Sequence, residues 1–324
     1  MQTMYFNPIA RSVVLTFLSL LIAMPLLAHG RSERCSAPWP FVQPVFESSI
    51  RYGDPLRKAD PFITVRIGGR PASMLLDTGS NRHVVWDARL LPVVAEIPAQ
   101  RESLSAIASS APAKRLTLDV EDEEGHNVAQ DFYAIDETPL MAEGFSGIVS
   151  PQYLANDKVA VLNFKDDCFF ISDRFEPTGD GRFRITDGTS LPNVHRVMAI
   201  AVAFKGARIP VVVDSGAYAT TLLTSLIQDA EPGALRRRTV DLLGQPIEGE
   251  AHMRRVDLTI HGERIVRHPV APQAQAHDAG TASLGAIGMD VLRNRIVFHD
   301  NERNRFAMIE PLDALRQTDA AQTP

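Results

Sequence analysis

Two stretches of the chain superimpose without a gap, and this repeat constrains the fold more than any other feature. "ITVRIGGRPASMLLDTGSNRHVV" (63–85) lies over "IAVAFKGARIPVVVDSGAYATTL" (200–222). The offset is constant at 214 − 77 = 137, so Ile63 meets Ile200, Val65 meets Val202, Ile67 meets Phe204 and Gly69 meets Gly206. Leu75-Leu76-Asp77 then meets Val212-Val213-Asp214. Each copy reads as an alternating strand, a glycine turn and a second strand that ends on an aspartate. Further on, "GIVSPQYLAN" (147–156) lies over "GAIGMDVLRN" (285–294), matching Gly147, Leu154 and Asn156 to Gly285, Leu292 and Asn294. The chain is therefore two similar halves, each with an aspartate early and a glycine-containing apolar segment late.

Between these anchors, strand-like runs dominate: "RLTLDVED", "NVAQDFYAI", "RRVDLTIHG" and "RIVRHPVA", separated by Gly, Pro and charged turns. Short helices are expected only near 151–155, 222–230 and 290–294. The fold class that follows is mostly β, with two homologous β-barrel-like lobes and a cleft between them. A length of 324 residues suits two lobes of roughly 150. The expected organisation is a leader over 1–30, an N-terminal segment over 31–60, a first lobe over 61–173, a crossing over 174–195, a second lobe over 196–311 and a polar tail over 312–324. An edge strand joining the lobes is the role expected for the N-terminal segment.

Charge removes one class of partner. A net charge of −6 and a pI near 5.9 offer no electrostatic case for nucleic acid. Arg236-Arg237-Arg238 reads as a solvated loop or helix end, and the acidic run 121–125 as a solvated hairpin turn. At the N-terminus, Arg11 precedes the 16-residue apolar run Val13 to Ala28, and polar "HGRSER" follows. This is the layout of a secretory signal peptide cleaved near Gly30, which implies a periplasmic or secreted protein. An uncleaved anchor is the alternative, and the only membrane association expected; the run is short for a span of about 20 residues. Cys35 and Cys168 are the only cysteines. In an exported protein they suit one disulfide, while two unpaired thiols stay open as the other reading.

Two aspartates at equivalent strand ends of related lobes can be brought face to face by a pseudo-twofold axis. Like charges that close share one proton, so one member can act as general base on a water while the other polarises a carbonyl. At these residues, "LLDTGS" and "VVDSGA", with "AIGMDVL" downstream, the sequence resembles the aspartic peptidases, over roughly residues 60 to 310. It looks most like the bacterial retropepsin-like members, in a single-chain, two-lobe arrangement like that of pepsin. The resemblance implies Asp77 and Asp214 as the catalytic pair, and Thr78 and Ser215 as a grip between lobes. Gly79, Ser80, Gly216 and Ala217 complete the supporting loops. It implies no metal or organic cofactor, an extended peptide or protein as substrate, and a monomer that already holds both aspartates.

Three departures carry expectations of their own. Ser80 can donate to the outer oxygen of Asp77, while its counterpart Ala217 cannot, so the two carboxyls should titrate differently and the activity optimum should be less acidic than in pepsin-like enzymes. Ser150 stands where the second mark carries glycine, and is expected to reshape the support beneath Asp77. No tyrosine lies between 93 and 132, where a first-lobe flap should fall. Flap candidates are Ile107, Ser109 and Ser110 in "AIASSAPA", and Gln245 and Pro246 in "LLGQPIEGEA"; plain surface hairpins account for them as well. The nine histidines form no zinc-spaced set; His83 reads as a strand or cleft-wall residue. The reading is an exported aspartic endopeptidase, and its rival is a peptide-binding module that keeps the fold without turnover.

Overall fold

Alternation of apolar residues builds the first hairpin. In strand Ala59–Ile67, Ile63, Val65 and Ile67 point inward and are at most 1% exposed. Burying each such side chain contributes about 2 kcal/mol. The strand turns at Gly68 and Gly69, with φ of 55° and 77°, into Arg70–Leu76. Glycine takes left-handed positions at no steric cost, and both central residues of such a two-residue hairpin turn need them. The second copy turns in the same way at Lys205 and Gly206, with φ of 47° and 81°, between strands Ala199–Phe204 and Ala207–Val213.

The computed structural model describes residues 35–311, apart from 37–38, 40–41, 93–100, 178–182, 192–194, 237–238, 249–250, 261, 279–281 and 304. The leader expected over 1–30 and the tail over 312–324 lie outside the described residues.

Each hairpin seeds a barrel-like sheet. The first has eight strands in the order Arg51–Asp54, Ala59–Ile67, Arg70–Leu76, Gly147–Val149, His83–Val85, Asn127–Ala134, Ser110–Glu121 and Arg101–Ser105. It curls until Arg66 and Ile67 pair with Glu121 and Val120. The second has seven strands, Ala199–Phe204, Ala207–Val213, Gly285–Ile287, Thr221–Leu223, Glu263–Gln273, Ala251–Ile260 and Glu231–Arg236, and curls until Ala203 pairs with Thr259. In both, the strand that ends on the aspartate lies parallel to a short late strand: Leu76 opposite Val149, and Val213 opposite Ile287. That pairing places the two halves of the sequence signature side by side in each lobe.

A third sheet joins the lobes. Its order is Pro44–Ser49, Cys168–Ser172, Val159–Asn163, Ile296–Asp300, Arg305–Pro311 and Phe183–Thr189. The first lobe supplies one central hairpin and the second lobe the other, meeting where Val161 pairs with Phe298. Beneath it pack Trp39, Phe170, Phe175, Phe183 and Phe298. Among the described residues three short α-helices, Pro151–Ala155, Thr224–Ile227 and Met289–Leu292, follow strand ends. The acidic turn departs from its solvated expectation. Asp122 is 2% exposed, because its carboxylate accepts from the N–H groups of Glu47, Glu124 and His126 and anchors the strand Pro44–Ser49.

Cys35 and Cys168 form a disulfide with a Cα–Cα distance of 5.4 Å and a sequence separation of 133. Closing so long a loop restricts the unfolded chain, so its loss costs about 2–5 kcal/mol. Replacing both cysteines with serine is expected to lower the melting temperature and to abolish its response to reductant; an unchanged melt would contradict this.

Candidate active site between the lobes

Asp77 and Asp214 leave their sheets at equivalent points. The N–H of Asp77 donates to the carbonyl of Val149 at 3.0 Å, and that of Asp214 to Ile287 at 2.9 Å. The residues after them lock the lobes together. Thr78 Oγ1 donates to the Val213 carbonyl, and Ser215 Oγ to the Leu76 carbonyl, each at 2.6 Å. In return the N–H of Ser215 donates to Thr78 Oγ1 at 2.9 Å, and the N–H of Thr78 to Ser215 Oγ at 3.0 Å. Both hydroxyl residues are fully buried, so all four bonds are shielded from competing water.

The glycines are set by space. A Cβ on Gly79 would stand 2.7 Å from Cγ of Asp214, and one on Gly216 would stand 2.7 Å from Cγ of Asp77. Each lobe's glycine thus backs the other lobe's carboxyl, and any larger residue would push the pair apart. Gly79 N–H donates to Asp77 Oδ1 at 2.8 Å, while Gly216 and Ala217 N–H donate to Asp214 Oδ1 at 2.9 and 3.1 Å.

Burial pushes both carboxyls above their ordinary value, against the pull of these backbone donors. The charge of Asp77 and its hydrogen bond push Asp214 further up. The two carboxyls are hydrogen-bonded to one another, so the pair holds one proton between them over a wide pH range. The Ser80 hydroxyl plays no part in this. It donates to the Arg82 carbonyl at 2.8 Å and accepts from Arg82 N–H at 3.3 Å, a local turn that satisfies it without the carboxylate. The backbone N–H of Ser80 supports Asp77 instead.

Beneath the loops the lobes diverge. In the second lobe Gly288 N–H donates to Thr220 Oγ1 at 3.1 Å, and Thr220 Oγ1 donates to Asp290 Oδ1 at 2.6 Å. Asp290 Oδ2 also meets His268 Nε2 at 3.2 Å. A Cβ on Gly288 would lie 2.6 Å from the Tyr218 carbonyl oxygen, so glycine is required there. In the first lobe Ser150 N–H donates to His83 Nδ1 at 3.1 Å, and Gln152 Nε2 donates to the carbonyls of Thr78 and Ser80. Ser150 has ψ 115° where Gly288 has −177°, which turns the chain differently and admits a side chain. His83 is 2% exposed and tilted against Phe132. Its role as the acceptor equivalent to Thr220 was missed from sequence, although the 137-residue offset aligns the two.

Of the flap candidates, Ile107 and Ser109 sit at the tip between strands Arg101–Ser105 and Ser110–Glu121, and Ser110 opens the second of these. Gln245 closes a turn in the other lobe, and Pro246 begins the strand Pro246–Glu248. The two tips touch: Ser109 Oγ donates to Asp241 Oδ2 at 2.5 Å. Among the described residues no group of three or more His, Cys, Asp or Glu is placed to hold a metal ion.

No protein-family model matches the chain, and no curated relative matches it. Its structure is similar to the crystal structure of an aspartic proteinase from Irpex lacteus, with a TM-score of 0.51 over 82% of this chain and 97% of that one, at 10% identity. At that identity the likeness is one of fold: mostly β, two-lobed, the aspartic proteinase architecture.

Proposed function

We propose that this aspartic proteinase fold is a working one: an exported aspartic endopeptidase that hydrolyses peptide bonds with a water held between Asp77 and Asp214. One observation carries the reading. The Thr78–Ser215 grip and the two crossing glycines press two desolvated carboxyls into one shared-proton pair. A fold kept only for binding has no need of that arrangement. The ionised carboxyl takes a proton from the water as its oxygen attacks the peptide carbonyl. The protonated carboxyl donates to the carbonyl oxygen, and the pair then delivers a proton to the leaving amine. An extended peptide lying between the lobes would present its scissile bond to the pair.

The disulfide and the apolar stretch 13–28 support export to the periplasm or beyond, where oxidising conditions keep such a bond. The single-chain, bacterial retropepsin-like subtype is proposed on the "DSGA" and "AIGMDVL" segments. The test is a quenched peptide library incubated with the mature protein from pH 3 to 8, beside Asp77→Asn, Asp214→Asn and a statine-type inhibitor. Cleavage that is blocked by the inhibitor and lost in both variants is expected. No cleavage at any pH would favour the binding-module reading, and cleavage indifferent to both substitutions would equally sink the catalytic role of the pair.

A further inference from the structure

The two lobes brace their aspartate loops with different chemistry. In the second lobe the carbonyls of Ala217 and Tyr218 accept from the backbone N–H groups of Met289 and Asp290, at 2.9 and 2.8 Å. The alignment of 147–156 over 285–294 makes Pro151 and Gln152 their first-lobe equivalents. Proline has no N–H to give. It also holds the residue before it in extended backbone, and Ser150 accordingly sits at φ −88° and ψ 115°. A side chain takes over the lost donor: Gln152 Nε2 donates to the carbonyls of Thr78 at 3.0 Å and Ser80 at 2.9 Å. Both acceptors are carbonyl oxygens, so only the NH2 end of the amide can face them.

Ser80 is the counterpart of Ala217, but Thr78 is no counterpart of Tyr218: it stands next to the aspartate itself. The Thr78 carbonyl and the Gly79 N–H belong to one planar trans peptide and point in opposite directions. That N–H donates to Asp77 Oδ1 at 2.8 Å. An amide that holds the carbonyl therefore aims the N–H at the carboxylate and polarises it as a donor. We infer that Gln152 is a positioning residue for Asp77, acting through the Thr78–Gly79 peptide to make Asp77, and not Asp214, the carboxyl that ionises first. This deepens the catalytic reading above and rests on it.

The brace is itself held firmly. Gln152 is fully buried, and its backbone carbonyl accepts from Asn301 Nδ2 at 2.7 Å, just past the second-lobe strand Ile296–Asp300. The joining sheet thus sets the helix that sets the loop. The direction of the carboxyl shifts agrees: the charge of Asp77 raises Asp214, while hydrogen bonds from Gly79, Asp214 and Ser80 pull Asp77 down against its burial. The titratable groups on the neighbouring elements are His83, which accepts from Ser150 N–H, and Tyr153, edge-on to His83. Beyond them, Asp131 on the strand Asn127–Ala134 is paired with Arg115.

The test follows the carboxyl pair of the full mature chain by carboxyl-carbon NMR from pH 3 to 8, which needs no turnover, beside kcat and KM on a cleaved peptide. Gln152→Met keeps the volume and removes the donor. Ser150→Gly/Pro151→Met/Gln152→Asn gives the first lobe backbone donors like those of the second, adds no charge, and leaves the Thr78 carbonyl without its side-chain donor. In both variants the pair's first titration step should move up by about one pH unit, and kcat should fall about tenfold. One hydrogen bond to a charged group supports effects of that size. KM should stay within about twofold, as for an interaction that substrate binding does not use. A wild-type first step in Gln152→Met, or its return in the triple variant, would show that any brace serves and would overturn the role given to Gln152. Should Gln152→Met fail to fold, the triple variant decides alone, since its backbone donors follow those that already brace the second lobe. A shifted first step in both variants of a protein that cleaves no peptide would keep the role of Gln152 and overturn the peptidase reading.

Discussion

Asp214→Asn is expected to abolish cleavage and, at pH 7, to raise the melting temperature. Losing one acid–base partner removes on the order of 10²–10⁴-fold in rate. The stability gain follows from proton linkage. In the unfolded chain this carboxyl titrates near 3.8, while in the folded protein burial and the charge of Asp77 raise it well above that value. Between the two, the unfolded chain releases a proton that the folded protein keeps. Folded stability therefore falls as pH rises through that window, by about 1.4 kcal/mol per pH unit, and stays lowered above it. Asparagine has no proton to lose. Its Oδ1 can still accept from Gly216 and Ala217, and its amide can donate to Asp77, which is then free to ionise. Melts of both forms at pH 3.5, 5 and 7 should diverge with rising pH, each kcal/mol shifting the midpoint by about 2–4 °C in domains of roughly 150–250 residues. A variant that melts lower than wild type at pH 7 would mean that the folded protein does not hold this carboxyl protonated.

The repeat made the architecture legible because both copies obey the same local rules. The hairpins, their glycine turns and the aspartate at each strand end are dictated by residues adjacent in sequence, and divergence at the surface leaves them untouched. The cross-lobe grip was legible for the same reason: Thr78 and Ser215 sit next to the residues that mark them. Contacts between distant segments were not. Nothing near Asp241 indicates that its carboxylate ties down the tip at Ser109, 132 residues away. The Ser80 hydroxyl differs from its expectation because a serine in a turn can bond the backbone two residues on, and sequence cannot rank that bond against one to the carboxylate. The buried Asp122 misled in a similar way. Its neighbours are acidic and solvated, but three backbone donors fold around this one member of the run.

Acid should destabilise the fold between about pH 6.5 and 4 through two buried histidines, and this bears on the working pH. Burial lowers His83 from 6.5 to about 4, although Gln130 and Asp131 beside it favour the charged ring. His299, in the strand Ile296–Asp300 of the sheet that joins the lobes, is likewise lowered to about 4 by burial despite Asp300. In that window the unfolded chain binds protons that the folded protein refuses, so stability falls as pH drops. Each ring accounts for about 3 kcal/mol by pH 4, and together they approach the 5–15 kcal/mol that holds a typical domain folded. Protonating His83 would also cost it the Ser150 N–H bond, since a charged imidazole has no acceptor. The carboxyl pair works in the opposite direction, gaining stability as pH falls from its raised values toward 3.8. The two rings are therefore expected to set the acid limit of the folded protein, above the strongly acidic range in which pepsin-like dyads titrate. Melting temperature measured from pH 4 to 7 in the Asp214→Asn background, where the largest opposing titration is gone, should rise with pH, and His299→Leu should make that rise shallower. A flat profile in that background would show that neither ring is kept neutral by the fold.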